Sequence, residues 1–345
     1  MAQINKPSLH FNTVLYTGNG GTQSITGVGF QPDWIWIKCR SDADDHTATD
    51  AVRGNTKVIY PNGTAVEGTS SSRITSFDSD GFSLGSSGDT NSNSRTFASW
   101  NWKANGAGSS NSDGSITSTV SVNTTAGFSI VSYTGTGSNA TVGHGLGSAP
   151  GWIVLKNRTT NRNWEILHHK NTASPATQQL EFITDATATV TTQWNSVMPT
   201  SSVFSIGTND STNKSGNSFV AYCFAEKNGY SKFGTYTGNG DVDGPMIYCG
   251  FKPAWGIFKR TNSTGNWIMM DNKRSPFNEM QKNLFVNTTA AEDSSTSYND
   301  FDFLSNGVKI REDNNDINAS GSTYIYMLFA ENPIVGTNNV VATAR

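Results

Sequence analysis

Two glycine-rich stretches are the first places in this sequence where chemistry could occur. They are Gly18-Asn19-Gly20-Gly21 and Gly143-His144-Gly145-Leu146-Gly147. A phosphate cradle needs a strand, then the loop, then a helix whose N-terminus faces the phosphate. Here each loop leads into another strand pattern, and no Gly-Lys-Ser/Thr follows. We therefore predict that both stretches are hairpin turns.

The clustered histidines are His144, His168 and His169. Zinc catalysis needs two or three ligands at fixed spacing together with a general base. His168 and His169 are adjacent in a predicted strand, so their side chains would point to opposite faces. We expect turn and edge histidines here, and we predict no metal site.

Carboxylates are the third candidate, because two of them can cleave a glycosidic bond. The residues considered are Glu165, Glu181, Asp271 and Glu279, together with Glu226 and Glu331, which recur in Phe-Ala-Glu. The recurring pair favours a structural cap or an interdomain contact. The acidic stretches 42–50 and 312–316 lack the spacing of a calcium loop and are predicted to be solvated. We predict no catalytic residue, no cofactor and no enzymatic activity, and the sequence identifies no binding residue.

Composition narrows the function classes. The net charge of −3 over 345 residues gives no electrostatic reason to expect nucleic-acid binding. No run reaches the length of a membrane span, so no membrane insertion is expected. Cys39, Cys223 and Cys249 form neither a disulfide framework nor paired metal ligands, and no signal peptide is visible. These features predict assembly in a reducing cytoplasm.

One unit occurs three times and organises the chain. Tyr-Thr-Gly-x-Gly begins at Tyr16, Tyr133 and Tyr236, and a strand pattern Trp-x-x-x-Lys follows each copy. The tryptophans are Trp34, Trp152 and Trp255, and the lysines are Lys38, Lys156 and Lys259. A second shared stretch closes each copy with an aromatic strand, 95–102, 218–229 and 323–333. The shared offset also aligns Asp50 of the first copy with His168 of the second and Asp271 of the third. The starting tyrosines are 117 and 103 residues apart, and repeats of this length indicate domains rather than a solenoid.

The elements predict an all-β chain of three tandem antiparallel β-sandwich repeat domains, jelly-roll-like, each with seven to nine short strands. We assign residues 1–105 to the first repeat, 106–126 to a flexible Gly/Ser-rich linker, 127–228 to the second repeat and 229–345 to the third. Residues 116–122 could add an edge strand, and the first repeat is expected to hinge more freely. The alternation in 95–102 predicts a strand with one buried face. Ranges 178–183 and 277–285 are the best candidates for a short helix or turn.

The recurring tryptophans and lysines each allow two interpretations. A Trp at the start of an apolar strand is a core anchor, or it stacks on a sugar ring. The first interpretation is favoured because every copy has the Trp at the same place. The lysines lie at an exposed strand end, or they reach an acidic partner in a facing unit.

The repeated motif resembles a domain of tailed-bacteriophage virion proteins, notably those of marine cyanophages and pelagiphages. The resemblance rests on Tyr-Thr-Gly-Asn-Gly, Gly-Phe-x-Pro-x-Trp and a terminal Phe-Ala-Glu-Asn, over about residues 10–335. The second copy departs from it at 146–150 and the first at 102–105. It implies a place on the phage particle, among virion structural and tail-fibre proteins, rather than a mechanism.

We therefore expect a non-enzymatic virion structural protein on the particle surface, with capsid decoration or a knob as the leading hypothesis. The alternative is a tail-fibre or receptor-binding protein for host attachment, whose Trp, Tyr and Asn side chains hold host glycans. A depolymerase is the third hypothesis. Expected partners are other capsid or tail proteins and host surface glycans, in an oligomer or symmetric array. Three units in one chain match a local threefold or quasi-sixfold site.

Overall fold

The computed structural model describes residues 3–293, 300–336 and 341–343. Named strands pair antiparallel throughout, and the predicted all-β, antiparallel sandwich class is confirmed. Within the described ranges, no helix has the length and apolar character needed to cross a membrane. The predicted outer limits at residues 1 and 345 lie outside the described residues.

The first repeat has a large sheet in the order β1-β9-β3-β4, a small sheet in the order β2-β8-β7 and a β5-β6 hairpin. A 3-10 turn, Pro7–Leu9, precedes them. The elements are β1 (Phe11–Thr17), β2 (Gln23–Thr26), β3 (Trp34–Cys39), β4 (Thr47–Asp50), β5 (Lys57–Val58), β6 (Gly68–Thr69), β7 (Ile74–Asp78), β8 (Gly81–Leu84), α1 (Gly88–Asn91) and β9 (Thr96–Trp102).

The second repeat has a large sheet in the order β10-β11-β12-β19-β14-β15, and β13 pairs with β18 in its small sheet. A further ribbon joins β16 and β17, after a 3-10 turn at Pro175–Thr177. The elements are β10 (Ser109–Asn111), β11 (Ser118–Asn123), β12 (Phe128–Thr134), β13 (Ala140–Gly143), β14 (Trp152–Asn157), β15 (Glu165–His168), β16 (Gln178–Gln179), β17 (Ala188–Thr189), β18 (Val203–Ile206), α2 (Asp210–Asn213) and β19 (Ser218–Phe224).

The third repeat has a large sheet in the order β20-β27-β22-β23-β24 and a small sheet in the order β21-β26-β25. The elements are β20 (Ser231–Thr237), β21 (Met246–Tyr248), β22 (Phe251–Arg260), β23 (Trp267–Asp271), β24 (Leu284–Phe285), β25 (Phe301–Leu304), β26 (Gly307–Ile310), α3 (Asn315–Asn318) and β27 (Thr323–Pro333).

The topology is jelly-roll-like in its nested outer pairs. In the first repeat, β1 pairs with β9 in the large sheet and β2 pairs with β8 in the small sheet. The hairpins β3-β4 and β7-β8 stay within one sheet, whereas a strict jelly roll would cross between sheets. The ranges 178–183 and 277–285, predicted as candidates for a short helix or turn, contain no helix. The only α-helices in the described chain are the single turns α1, α2 and α3.

The segment 106–126 is not a free linker. Its strands β10 and β11 extend the large sheet of the second repeat, with Val120 opposite Val131. The expectation of a flexible tether is wrong because the Ser/Thr/Val run supplies β-forming residues that pair with β12. The expectation of an added strand near 116–122 is met by β11.

The central strands of each large sheet are buried on both faces, so the prediction of one buried face for 95–102 is wrong. In β9, Phe97 faces the core within its own sandwich, whereas Trp100 and Trp102 face a second core outside it. Each sandwich has its own inner core between large and small sheet. Alternation of residue type therefore separates two apolar environments, not core from solvent.

The second core is shared by all three repeats and is called the central core here. It contains Trp34, Trp36, Trp100 and Trp102 from the first repeat, Phe128, Trp152, Trp164, Tyr222 and Phe224 from the second, and Phe233, Trp255, Trp267, Met327 and Phe329 from the third. Aromatic pairs join every pair of repeats. Ring centroids are 4.1 Å apart for Trp34 and Tyr222, 6.1 Å for Trp152 and Trp267, and 5.5 Å for Trp102 and Trp255.

The three repeats therefore form one closed body. A cavity of only about 10 Å³ remains among Trp34, Trp102, Trp152 and Trp255. The expectation that the first repeat hinges freely is wrong, because its large sheet supplies four tryptophans to the common core. Such close packing resembles a protein interior rather than a contact between independent domains.

We expect Trp34→Ala to destabilise all three repeats together by about 4 kcal/mol, because it removes a buried ring from the central core. Trp34 is 2% exposed. Urea denaturation followed by Trp fluorescence and circular dichroism measures the change. Phe277→Ala is the control, since Phe277 is 75% exposed, and its effect is expected to stay within about 0.5 kcal/mol. A separate early transition of one repeat in the wild-type protein would contradict the shared core.

Candidate functional site

The recurring tryptophans are core residues. All nine tryptophans of the chain are buried, including Trp34, Trp152 and Trp255. The interpretation of these three as sugar platforms is wrong, because their faces are covered by aromatic rings of neighbouring repeats. The core-anchor interpretation is confirmed.

The Tyr-Thr-Gly-x-Gly loops are held by a buried asparagine at the end of each short helix. In the first repeat Asn91 accepts from the backbone N–H of Asn19 at 2.9 Å and donates to the carbonyls of Gly21 and Gly85. The hydroxyl of Tyr16 donates to the Thr90 carbonyl at 2.7 Å. Asn213 and Asn318 make the equivalent bonds in the other repeats, beside Tyr133 and Tyr236.

Gly18 and Gly20 of this loop are each required for a different physical reason. A Cβ on Gly18 would collide with the carbonyl oxygen of Ser92. Gly20 has φ +72°, a left-handed backbone that glycine adopts at low cost. The loop joins β1 of the large sheet to β2 of the small sheet. It is therefore a turn between sheets, and the prediction of a hairpin turn is wrong, since neither flanking strand pairs with the other.

The other glycine-rich stretch, 143–147, is not a hairpin either. It follows β13 of the small sheet and leads toward β14 of the large sheet. His144 lies within it and is buried, bonding the Thr200 carbonyl through Nε2 at 3.2 Å. The stretch is thus a second connection between sheets.

The recurring lysines are buried and bind backbone carbonyls. Lys156 Nζ donates to the Thr64 carbonyl of the first repeat at 2.9 Å, and Lys259 Nζ to the Thr184 carbonyl of the second repeat at 2.9 Å. Lys38 instead reaches the carbonyls of Cys39 and Asp42. Burial lowers the pKa of both Lys156 and Lys259 to about 8. Neither predicted position is correct, since the three ammonium groups are buried and, among the residues that the structure describes, no carboxylate pairs with them directly.

One aromatic side chain at the same position of each repeat makes a hydrogen bond to the preceding repeat. Trp164 of the second repeat donates to the Tyr60 carbonyl of the first at 2.8 Å, and Trp267 of the third to the Glu181 carbonyl of the second at 2.8 Å. His46 of the first repeat bonds the Phe285 carbonyl of the third at 3.1 Å. Because each repeat contacts the preceding one in the same way, the repeats form a ring with pseudo-threefold symmetry.

A buried ion cluster lies at the first–second interface. Arg53 and Asp50 form an ion pair whose side chains are fully buried, and the Tyr222 hydroxyl donates to Asp50 at 2.7 Å. Arg53 also contacts Glu67 at 3.1 Å. Glu67 in turn forms a two-bond pair with Arg158 of the second repeat, at 2.7 and 2.9 Å. Those guanidinium groups outweigh burial and lower the pKa of Glu67.

The third–first interface repeats this arrangement. Arg274 and Asp271 form the buried pair, and Trp100 donates to Asp271 at 3.0 Å. Glu292 contacts Arg274 and forms a two-bond pair with Arg40 of the first repeat, at 2.8 Å for both bonds. Asp271 therefore holds an interface together and faces no open surface.

The second–third interface has an uncharged histidine in place of the buried Arg–Asp pair. His168 faces Trp152 across the strands, as Asp50 faces Trp34 and Asp271 faces Trp255, which confirms the predicted alignment. His168 is buried and bonds the Tyr326 carbonyl of the third repeat at 3.2 Å. Burial lowers its pKa to about 3, so the ring is neutral. His168 lies on β15, the outermost strand of its large sheet, so the expectation of an edge histidine is met, although the third repeat buries the side chain.

The remaining histidine also contacts a neighbouring repeat and does not complete a metal site. His169 bonds the Phe233 carbonyl at 3.0 Å and lies 4.0 Å from Glu226. Glu226 accepts from the Phe233 N–H at 2.7 Å. This carboxylate thus makes an interdomain contact, as predicted. In the described part of the chain, no group of three or more His, Cys, Asp or Glu side chains could hold a metal ion.

Among the predicted catalytic candidates, only Glu165 and Glu181 come together. They lie opposite each other in an isolated bridge, and Gln179 donates to both carboxyl groups at 3.2 Å. Burial and the neighbouring Glu181 charge raise the pKa of Glu165 to about 8. Glu165 is fully buried, so its carboxyl favours the protonated form inside the second repeat. Glu279 lies apart on the surface beside Arg311.

Glu331 and acidic residues of the stretch 42–50 bind groups of the protein itself. Glu331 contacts Lys252 and Asn272 within the third repeat. In the stretch 42–50, Asp42 and Asp44 bind Arg95, whereas Asp50 belongs to the buried cluster. The prediction of a solvated loop is therefore wrong for Asp50.

Fold and interfaces define a tandem-repeat β-sandwich protein closed into a ring. Residues 6–333 match the family model described as Domain of unknown function (DUF7483), so the chain belongs to this family. The matched range contains every named strand of the three repeats. No curated protein and no solved structure matches the chain.

We expect Arg53→Gln to destabilise the protein by about 4 kcal/mol, because it leaves Asp50 charged and buried without its cation. Arg311→Gln is the control: its exposed ion pairs are expected to contribute under about 1 kcal/mol. Chemical denaturation at neutral pH measures both. Equal effects of the two substitutions would show that the cluster does not support the interface.

Glu165→Gln tests the raised pKa of Glu165. A carboxyl with a raised pKa contributes stability that is complete below its ordinary value of 4.5 and is lost as pH rises through about 8. The wild-type protein is therefore expected to lose stability between those values, and Glu165→Gln to lose less. Melting temperatures across this range measure the difference. Glu279→Gln is expected to follow the wild-type profile, and an unchanged slope in Glu165→Gln would refute the raised pKa of Glu165.

Proposed function

We propose that this chain is a non-enzymatic structural protein on the surface of a tailed-phage particle, where it decorates the capsid. The observation that carries the proposal is the closed ring of three equivalent repeats. A single chain of this form presents the symmetry of a trimer. It can therefore occupy a local threefold site with one copy, and each repeat can make the same contact with the shell.

Three equivalent loop tips suit such a contact. Asn19 and Gly20 in the first repeat, Thr136 and Gly137 in the second, and Asn239 and Gly240 in the third are exposed. Each tip is fixed from below by its buried asparagine. Rigid tips at equivalent places lose little conformational entropy on binding.

The described chemistry is consistent with a structural role. The charged clusters form ion pairs at the interfaces between repeats, and the paired glutamates bind Gln179 inside the second repeat. The side chains that recur in all three repeats are aromatic, lysine and asparagine side chains that are buried and stabilise the fold. These observations favour a protein selected for assembly.

A tail-fibre tip is the second candidate, favoured by the same symmetry, because one ring can cap a trimeric fibre. Host glycans would then contact exposed aromatic groups such as Tyr248 and Phe277, which are 64% and 75% exposed. The buried tryptophans do not take part in this alternative.

Cryo-electron microscopy of particles that carry this protein tests the proposal. We expect density of one ring at each occupied threefold or quasi-sixfold position of the head, with the three repeats in equivalent contact with the shell. Gold-labelled antibody against the chain provides an independent localisation. Density confined to the tail would replace decoration with the fibre alternative, and absence from purified particles would overturn both.

A further inference from the structure

In the second repeat, the outer edge of the small sheet is covered by the chain itself. Residues 114–116 run beside β13, and Ile116 forms a parallel bridge with Val142. The Ile116 N–H donates to the Thr141 carbonyl at 3.0 Å, and the Thr141 N–H donates to the Ser115 hydroxyl at 2.8 Å. Ile116 is buried by this pairing.

In the third repeat, the equivalent strand β21 has an open edge. The Ile310 N–H donates to the Pro245 carbonyl, and the Cys249 N–H donates to the Asn306 carbonyl. These two bonds show that every second residue of this segment, starting from Pro245, turns its backbone groups toward β26. In an antiparallel pair the residues between hydrogen-bonded positions turn their N–H and C=O groups the other way. Met246 and Tyr248 therefore direct these groups away from β26. Within the described ranges, no protein group bonds them.

The side chains on this edge are apolar. Met246 is 44% exposed, Tyr248 is 64% exposed and nearby Val242 is 59% exposed. The matching strand of the first repeat, β2, has exposed Ser24 and Thr26 instead. Open edges are usually protected by charged or polar residues. An open edge with apolar side chains marks a place for a pairing strand.

A surface groove of about 640 Å³ continues from the edge. Tyr248, Gly250, Lys227 and Val335 are among the residues that line it. Within the described ranges, no carboxylate lies within 4.0 Å of Lys227, whereas the nearby Lys232 pairs with Glu226 at 3.2 Å. Lys227 can therefore accept a carboxylate from outside.

We propose that β21 and this groove bind an extended segment of another protein chain by adding a strand to the small sheet. The segment pairs with the backbone of Met246 and Tyr248, packs an apolar side chain against them and places a carboxylate near Lys227. Strand addition of this kind takes affinity from main-chain bonds and specificity from side-chain contacts. The site is the third repeat's counterpart of the edge that residues 114–116 cover in the second.

A second copy of this chain is a poorer occupant. β21 has three residues, and edge-to-edge pairing of two such strands buries far less than the roughly 1,200 Å² of a stable interface. A flexible segment can follow both the edge and the groove. The open edge belongs to the isolated chain, so its test is independent of the proposed place on a phage particle.

The probe is a capped synthetic peptide of residues 110–122, the sequence that covers the edge in the second repeat. We expect it to slow hydrogen exchange at the Met246 and Tyr248 amides of the full-length protein. Met246→Pro removes one outward N–H at a position where an edge strand tolerates proline. We expect this variant to bind about tenfold more weakly, as the loss of one main-chain bond implies.

Ser24→Pro, at the matching position of β2, is the control and is expected to bind like the wild type. Tyr248→Ser, expected to weaken binding without changing the backbone, replaces Met246→Pro if that variant fails to fold. The proposal is overturned if the peptide leaves both amides unprotected or if binding is equal in the folded variants. It is also overturned if light scattering shows a dimer that protects the same amides without peptide.

Discussion

The faces of the large sheets that point away from their own sandwiches carry Trp, Tyr and Phe, and only the neighbouring repeats cover them. This constraint explains why β3 and β14 are buried along their whole length. It also explains why three units of about 100 residues behave as one body. Each repeat could form a sandwich core alone, but it would expose an aromatic surface larger than soluble monomers tolerate.

Closure of the ring places polar groups where the sheets meet, and the three interfaces differ. Two have a buried Arg–Asp pair extended by a Glu–Arg pair, while the third uses His168 and backbone carbonyls. Buried charges add little stability over apolar residues, but a wrong partner leaves them uncompensated. Arg40 and Arg158 each find a glutamate only in the observed cyclic order, so these clusters specify which faces meet.

The number of sandwiches and the equivalence of positions between them could be predicted from the sequence, because the motif repeats. Three copies of one motif identify the number of sandwiches, and the shared offset correctly aligns Asp50, His168 and Asp271. Burial on both faces could not be predicted, because alternation in a single sequence does not show what covers the second face. The strand β10 within 106–126 was missed for a related reason: Gly and Ser suggested flexibility, whereas its pairing with β11 overrides local preference. The buried asparagines had a usable signal, since Asn91, Asn213 and Asn318 each stand six residues before the aligned aromatics Phe97, Phe219 and Tyr324.

The cyclic contacts also limit how such a gene can evolve. Every repeat offers one face to the unit before it and a different face to the unit after it, so loss of one copy would leave two complementary surfaces uncovered. Molecules with such surfaces join head to tail into open filaments instead of closing. The copy number is therefore fixed at three by geometry, while loops away from the central core are free to diverge. Sequence drift can make each repeat distinct, as the apolar edge at β21 shows, without disturbing the ring that holds them.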